Sequence, residues 1–190
     1  MISLTRPSQD TLMKKLKASV QKPFSYNELG KTQEQKFPSG YEHSIHSHKI
    51  GTGQKDFKRA VQLFKEWRQF PQPLAHIFPE DSVILKGVTV IVVSRKFGFW
   101  WTHFYRVLYK IDEERCFGFA YGTLQEQLES GEELFMIEWN EDDSVQYSLR
   151  SFLKPNHFLT KLFKPFGKQV RAEFRRKTFN KMESLVSDKA

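Results

Sequence analysis

Three carboxylates, Glu129, Glu132 and Glu133, stand close together in the chain, shortly after Tyr121. Carboxyl groups at the mouth of a pocket do acid–base work when burial raises their pKa. In a strand, Glu132 and Glu133 point to opposite faces, so at most one of them faces a given cavity. The other reading is a hydrogen-bonded turn with one exposed charge. Arg106 and Arg150 sit in stretches otherwise rich in apolar residues. A pocket arginine there would clamp a carboxylate or phosphate through its planar fork; a solvent-facing strand residue or an internal ion pair is the alternative. His43, His46 and His48 have the look of a metal box. Alternation puts His46 and His48 on one face and His43 on the other, and two imidazoles without a third ligand do not make a zinc site. No metal and no cofactor is expected. Gly51-Thr52-Gly53 lacks the third glycine of a dinucleotide fingerprint, and no nucleophile–base pairing stands out. The densest aromatic run, Phe97 to Tyr105, either lines a pocket or lid or closes the core at a strand junction.

Elements that would position these groups follow from periodicity. Ser8 caps a helix over 9–21 with Leu12, Leu16 and Val20 on one stripe, stopped by Pro23. A polar loop runs to Pro38, then a strand over 41–50. Residues 55–70 are an amphipathic helix, with Phe57, Ala60, Val61, Phe64 and Trp67 at three- and four-residue steps. A connector leads to Val83. The pattern then switches to strands over 88–95, 104–111, 116–123, 134–139 and 145–152, separated by short gaps that suit an antiparallel meander. Beyond Pro155 the helical period returns to about Leu185, with Leu159, Leu162, Phe163, Phe166, Val170, Phe174, Met182 and Leu185 as its apolar stripe. The expected fold class is α+β: a curved antiparallel sheet of about six strands packed around a long C-terminal helix. Residues 1–23 read as a basic helical segment and 24–190 as a single domain.

The net charge of +8 is uneven. Residues 1–23 carry five Lys/Arg against one Asp, residues 24–153 carry 15 against 18 acidic groups, and residues 154–190 carry ten against three. Lys161, Lys164, Lys168, Arg171 and Arg175 form a basic stripe on the last helix, either a solvated face or a site for an anionic partner such as nucleic acid or a membrane surface. Eighteen phenylalanines make disorder an unsuitable description of the chain. Cys116 is the single cysteine, so no internal disulfide forms. No apolar run approaches the roughly 20 residues of a membrane span, and the N-terminal stretch lacks the apolar core of a secretory signal. A cytoplasmic location is expected.

The element order resembles the helix-grip architecture of the START and Bet v 1-like superfamily, whose members commonly hold hydrophobic ligands and include some enzymes. From Ser25 onward the chain resembles the family catalogued as domain of unknown function 1990, also uncharacterised protein family 0548. Leu29-Gly30-Lys31-Thr32, Pro38-Ser39-Gly40-Tyr41, Ile50-Gly51-Thr52-Gly53, Arg59-Ala60 and Arg106-Val107 carry the likeness. Its most specific part is Gly118-Phe119-Ala120-Tyr121-Gly122-Thr123-Leu124 followed by Gly131-Glu132-Glu133. The family usually continues Thr-Leu with Pro-Gly-His-Pro-Glu; here Gln125-Glu126-Gln127-Leu128-Glu129 stands instead, with Gln127 at the histidine position. A hydrophobic or amphipathic small molecule held between sheet and helix is the function this implies, with Phe99, Trp100, Arg106, Tyr121 and Glu132 as its expected contacts.

Overall fold

The computed structural model describes residues 2–156 and 164–187. Its strands are β1 (Ile2–Ser3), β2 (Glu42–Thr52), β3 (Ala75–Phe78), β4 (Thr89–Lys96), β5 (Phe99–Glu113), β6 (Cys116–Thr123), β7 (Glu129–Trp139) and β8 (Ser144–Pro155). Its helices are α1 (Gln9–Ser19), α2 (Gly53–Lys65) and α3 (Lys164–Ser187), with a 3-10 turn at Lys31–Gln33. All pairings are antiparallel. β4 to β8 form the expected meander, β3 from the anticipated connector adds a strand beside β4, and β2 closes the far edge against β8. Eight strands rather than six result because two short ones carry little periodic signal. β3 is four residues between prolines, and β1 is two residues that pair with Trp100 and Trp101. β6 pairs with β5 only from Tyr105 onward, which leaves that end of β5 for β1.

Register shifts in β2 between Lys49 and Gly51, and in β5 between Val107 and Tyr109, bend the sheet. Its concave face receives α2 and α3. Phe57, Ala60, Leu63 and Phe64 of α2 are buried, and the chain just beyond adds Trp67 and Phe70 to the same core. The second half of α3 contributes Phe179, Met182 and Val186, and the Thr178 hydroxyl meets that of Tyr147 at 3.1 Å. Leu159, Leu162 and Phe163 of the anticipated stripe, together with Lys161, lie outside the described residues.

The convex face is covered from the N-terminal side. The Ser8 hydroxyl accepts from the Thr11 N–H at 3.2 Å and caps α1, as its residue type suggests. Leu12 then packs with Ile91, Val93, Phe104 and Leu124. Val20, expected on the same stripe, is instead 46% exposed just past the end of the helix. The loop that follows buries Tyr26 and Phe37 against Phe152. Gly122 and Gly131 make this close approach feasible. A Cβ on Gly122 would strike the Tyr26 hydroxyl, and one on Gly131, whose φ is +146°, would strike the Phe152 carbonyl.

Candidate functional site

Side-chain alternation decides what each strand offers to the concave side. From β4 come Val92, Ser94 and Lys96; from β5, Phe99, Trp101, His103 and Tyr105; from β7, Glu129, Glu133 and Phe135. Where the buried second half of α3 fills the core, its first half presents Gly167, Val170, Arg171 and Phe174, and the gap to the sheet is not filled. The result is a cavity of about 700 Å³ between sheet and α3. Phe97 and Phe99, which line it while 63% and 39% exposed, mark an opening at the β4–β5 turn. A second, smaller cleft of about 280 Å³ lies between β2 and α3 and shares Glu42, Ser44, Arg171 and Arg175 with the cavity.

The walls are mainly aromatic and aliphatic, with a small set of ionisable groups among them. The Tyr121 hydroxyl donates to Glu133 Oε2 at 2.9 Å, and the Tyr105 ring stacks on Tyr121 with centroids 4.1 Å apart. Burial raises the Glu133 pKa, an effect opposed by the Tyr121 hydrogen bond. Burial also drives the phenols of Tyr105 and Tyr121 well above their ordinary value, with Glu133 adding to the effect. His103 is pushed down to about 3 by burial, so its ring is neutral at pH 7. Lys96 is lowered by burial, with Glu129 and Glu133 pulling it back. Glu129 is raised by burial although Arg171 donates to it; the same guanidinium reaches Glu42 at 3.3 Å. Arg171 thereby ties α3 to β7 and β2 beside the cavity.

Of the five contacts expected from the sequence, the structure brings Phe99 and Tyr121 to the cavity and places the other three on the convex face. Trp100 packs beside the α1 cluster under the guanidinium groups of Arg6 and Arg95. Arg106 donates to Thr89 Oγ1 at 3.1 Å and to the Val20 carbonyl at 2.7 Å, lying over the Phe24 ring; it caps α1. Glu132 is fully buried. Its carboxylate accepts from the N–H groups of Gly30 (2.8 Å) and Thr32 (3.0 Å), the Tyr26 hydroxyl (3.1 Å) and the Thr32 hydroxyl. It fastens the N-terminal loop to the sheet. Arg150 likewise faces away, donating to the Glu34 carbonyl at 2.6 Å over Phe37.

The cavity takes Glu133 from the acidic cluster and His103 and Tyr105 from the aromatic run, and adds Lys96, which no sequence motif singles out. The signal for the β5 pair was present: with period two, Phe99 shares a face with Trp101, His103 and Tyr105, not with Trp100 or Arg106. Glu133 is directly opposite Tyr121 in the register. Of the basic stripe, Arg171 and Arg175 belong to the cavity wall, and the side chains of Lys164 and Lys168 lie outside the described part of the structure. His46 and His48 do share a face, but His48 is bonded to Glu183 at 2.8 Å and His43 to the Pro38 carbonyl at 2.8 Å. Gln127 is buried, with its amide oxygen accepting from the Phe104 N–H at 3.3 Å.

A curved antiparallel sheet gripping a C-terminal helix around an internal cavity defines the class: this is a helix-grip protein. Residues 25–181 match the family described as Domain of unknown function (DUF1990), and the chain belongs to that family. It is 29% identical to a UPF0548 protein of Dictyostelium discoideum over 98% of this chain and 96% of the relative, and 31% identical to a UPF0548 protein of Deinococcus radiodurans over 67% and 70%. Among solved structures it is similar to the hypothetical protein jhp0584 of Helicobacter pylori, with a TM-score of 0.56 and 13% identity over 85% of this chain and 98% of that one. It is also similar to the Bet v 1-like protein Ara h 8.0201, with a TM-score of 0.51 and 14% identity over 79% and 100%. No described helix is long and apolar enough to cross a membrane.

Proposed function

We propose that this protein binds a hydrophobic or amphipathic small molecule in the cavity between the sheet and α3. The observation that carries the reading is the cavity itself: about 700 Å³, walled by groups such as Phe70, Phe135, Leu149 and Phe174, with a surface that is mainly apolar. That volume and that lining are those of sites which bury most of a small organic ligand. Apolar walls supply affinity through desolvation, and the Tyr121–Glu133 pair, Lys96 and the neutral His103 supply orientation. Phe99 and Tyr121 are retained as proposed contacts, joined by Trp101, His103, Tyr105 and Glu133.

Titration with N-phenyl-1-naphthylamine, a neutral apolar fluorophore, tests this directly. The wild-type protein is expected to enhance its emission saturably, and Val170→Trp, which fills the cavity from α3, to abolish the enhancement while the circular dichroism spectrum is kept. Equal enhancement by the filled variant would place the probe elsewhere and remove the reading.

A further inference from the structure

The charged groups around the cavity are unevenly satisfied. Among the described residues, Glu129 receives Arg171, Arg171 also reaches Glu42, and Glu133 receives the Tyr121 hydroxyl. The Lys96 ammonium group has neither an ion-pair partner nor a hydrogen bond among those residues, although the Lys96 carbonyl accepts from the Trp101 indole N–H at 3.2 Å. Its side chain nevertheless stands at the end of β4 in the cavity wall, half-buried and beside Phe97, Phe99 and Trp101. Arg175, also without an ion pair among the described residues, lies where the cavity meets the smaller cleft and is half-buried like Lys96. A half-buried ammonium with no direct ion pair is only partly compensated by the carboxylates near it, and a ligand that pairs with it recovers part of that cost.

The signs also discriminate. A cationic head group would share Glu129 with Arg171 and Glu133 with the Tyr121 hydroxyl, and it would face the like charges of Arg171 and Lys96. An anionic one would find an unused donor. Lys96 stands near the opening marked by Phe97 and Phe99, whereas Phe70, Phe135 and Phe174 wall the rest of the cavity and pack on one another, with 6.0 Å between the Phe70 and Phe135 rings and 5.8 Å between Phe70 and Phe174. One end carries the ionisable groups, Lys96 among them, and the other is apolar.

The geometry points to a ligand that is an amphiphile with a single acidic head group, its tail among Phe70, Phe135 and Phe174 and its head paired with Lys96. This rests on the cavity being a small-molecule site, and the test separates the two claims. Dodecanoate, dodecanol and dodecylammonium share one tail and differ in head charge. Each is used to displace N-phenyl-1-naphthylamine from the full-length protein.

Dodecanoate is expected to displace the probe at a concentration about ten- to a hundredfold lower than dodecanol, the ratio a charge-assisted hydrogen bond supplies. Lys96→Met is expected to erase that ratio and leave dodecanol within about twofold of the wild type, since only the head contact is lost. Lys96→Arg, which keeps the charge, is expected to retain the preference, so loss of packing does not mimic loss of charge. Equal displacement by dodecanoate and dodecanol, a preference for dodecylammonium, or a dodecanoate preference that survives Lys96→Met each overturns the head-group assignment while the cavity reading stands. Failure of all three to displace the probe overturns both.

Discussion

Glu132 and Glu133 are neighbours in sequence and lie in different worlds. Glu132 faces the convex side, where four donors from Tyr26, Gly30 and Thr32 consume its carboxylate. Glu133 faces the cavity, where one phenol meets it and room remains. The contrast recurs at other polar groups. On the convex face Arg106 spends its guanidinium on Thr89 and on the Ser19 and Val20 carbonyls at the end of α1. On the concave face the Lys96 ammonium has no such partner among the described residues. A polar group whose bonding capacity is exhausted by its own chain does structural work, and one with capacity left inside an apolar cavity is available to a ligand.

The contrast is broken most sharply at Glu132. Glu132→Ala leaves several buried donors unpaired and is expected to lower stability by about 3–5 kcal/mol, read as a shift of the urea midpoint. Glu133→Ala removes one hydrogen bond from a cavity-lining group, and its expected cost is about 1 kcal/mol or less. Similar losses for the two variants would mean that the faces do not differ in this way.

That comparison also marks what the sequence discloses. The meander, α2 and the period of α3 are written in hydrophobic spacing, because the burial of a face is a repeated, additive effect. The alternation of Glu132 and Glu133 was equally legible, since it needs only a strand. Which of the two faced the cavity was not. That depends on Tyr121 standing opposite Glu133 and on the 24–41 loop folding over the other face, and both are long-range placements. In β5 the alternation alone separates Trp100 and Arg106 from Phe99, so these three expected contacts divide between the two faces. The likeness to DUF1990 and to the helix grip brought the sheet–helix order forward intact. Lys96 carried no signal at all, because a lysine at a hairpin end ordinarily points to water.

His103 offers a titration of the concave face. Its folded pKa lies at about 3 against an ordinary value of 6.5, so the neutral ring is favoured in the folded state. The associated stability is fully present above pH 6.5 and is lost as pH falls toward 3, because the unfolded state takes up the proton first. Between pH 6.5 and 4 the loss is expected to be roughly 1–3 kcal/mol. His103→Phe is expected to flatten that limb of a chemical-denaturation series, and an unchanged limb would show that the ring is hydrated in the folded protein.

Arg106 sharpens the comparison from the other side. Arg106→Met is expected to cost about 1–2 kcal/mol by freeing the Ser19 and Val20 carbonyls at the end of α1, with N-phenyl-1-naphthylamine affinity unchanged. A matching loss of probe affinity would tie α1 to the cavity and dissolve the division between the faces.

The smallest effect belongs to Glu133 itself. The groups around it are Lys96 from β4, His103 and Tyr105 from β5, Tyr121 from β6, Glu129 from β7, Tyr147 from β8 and Arg171 from α3. Burial raises its pKa, so it holds its proton to higher pH than an exposed carboxyl does. A ligand carboxylate beside Lys96 is repelled by ionised Glu133 and not by the protonated form. Dodecanoate affinity is therefore expected to be highest below the raised pKa and to weaken by about two- to tenfold as pH rises through it. Glu133→Gln, which keeps an acceptor for the Tyr121 hydroxyl and cannot ionise, is expected to hold the low-pH affinity across that range. Any further fall at more alkaline pH in this variant belongs to Lys96, whose ammonium form burial weakens. Probe displacement measured at a series of pH values separates the two: a slope that persists unaltered in Glu133→Gln would show that the carboxyl and the head group do not sense one another.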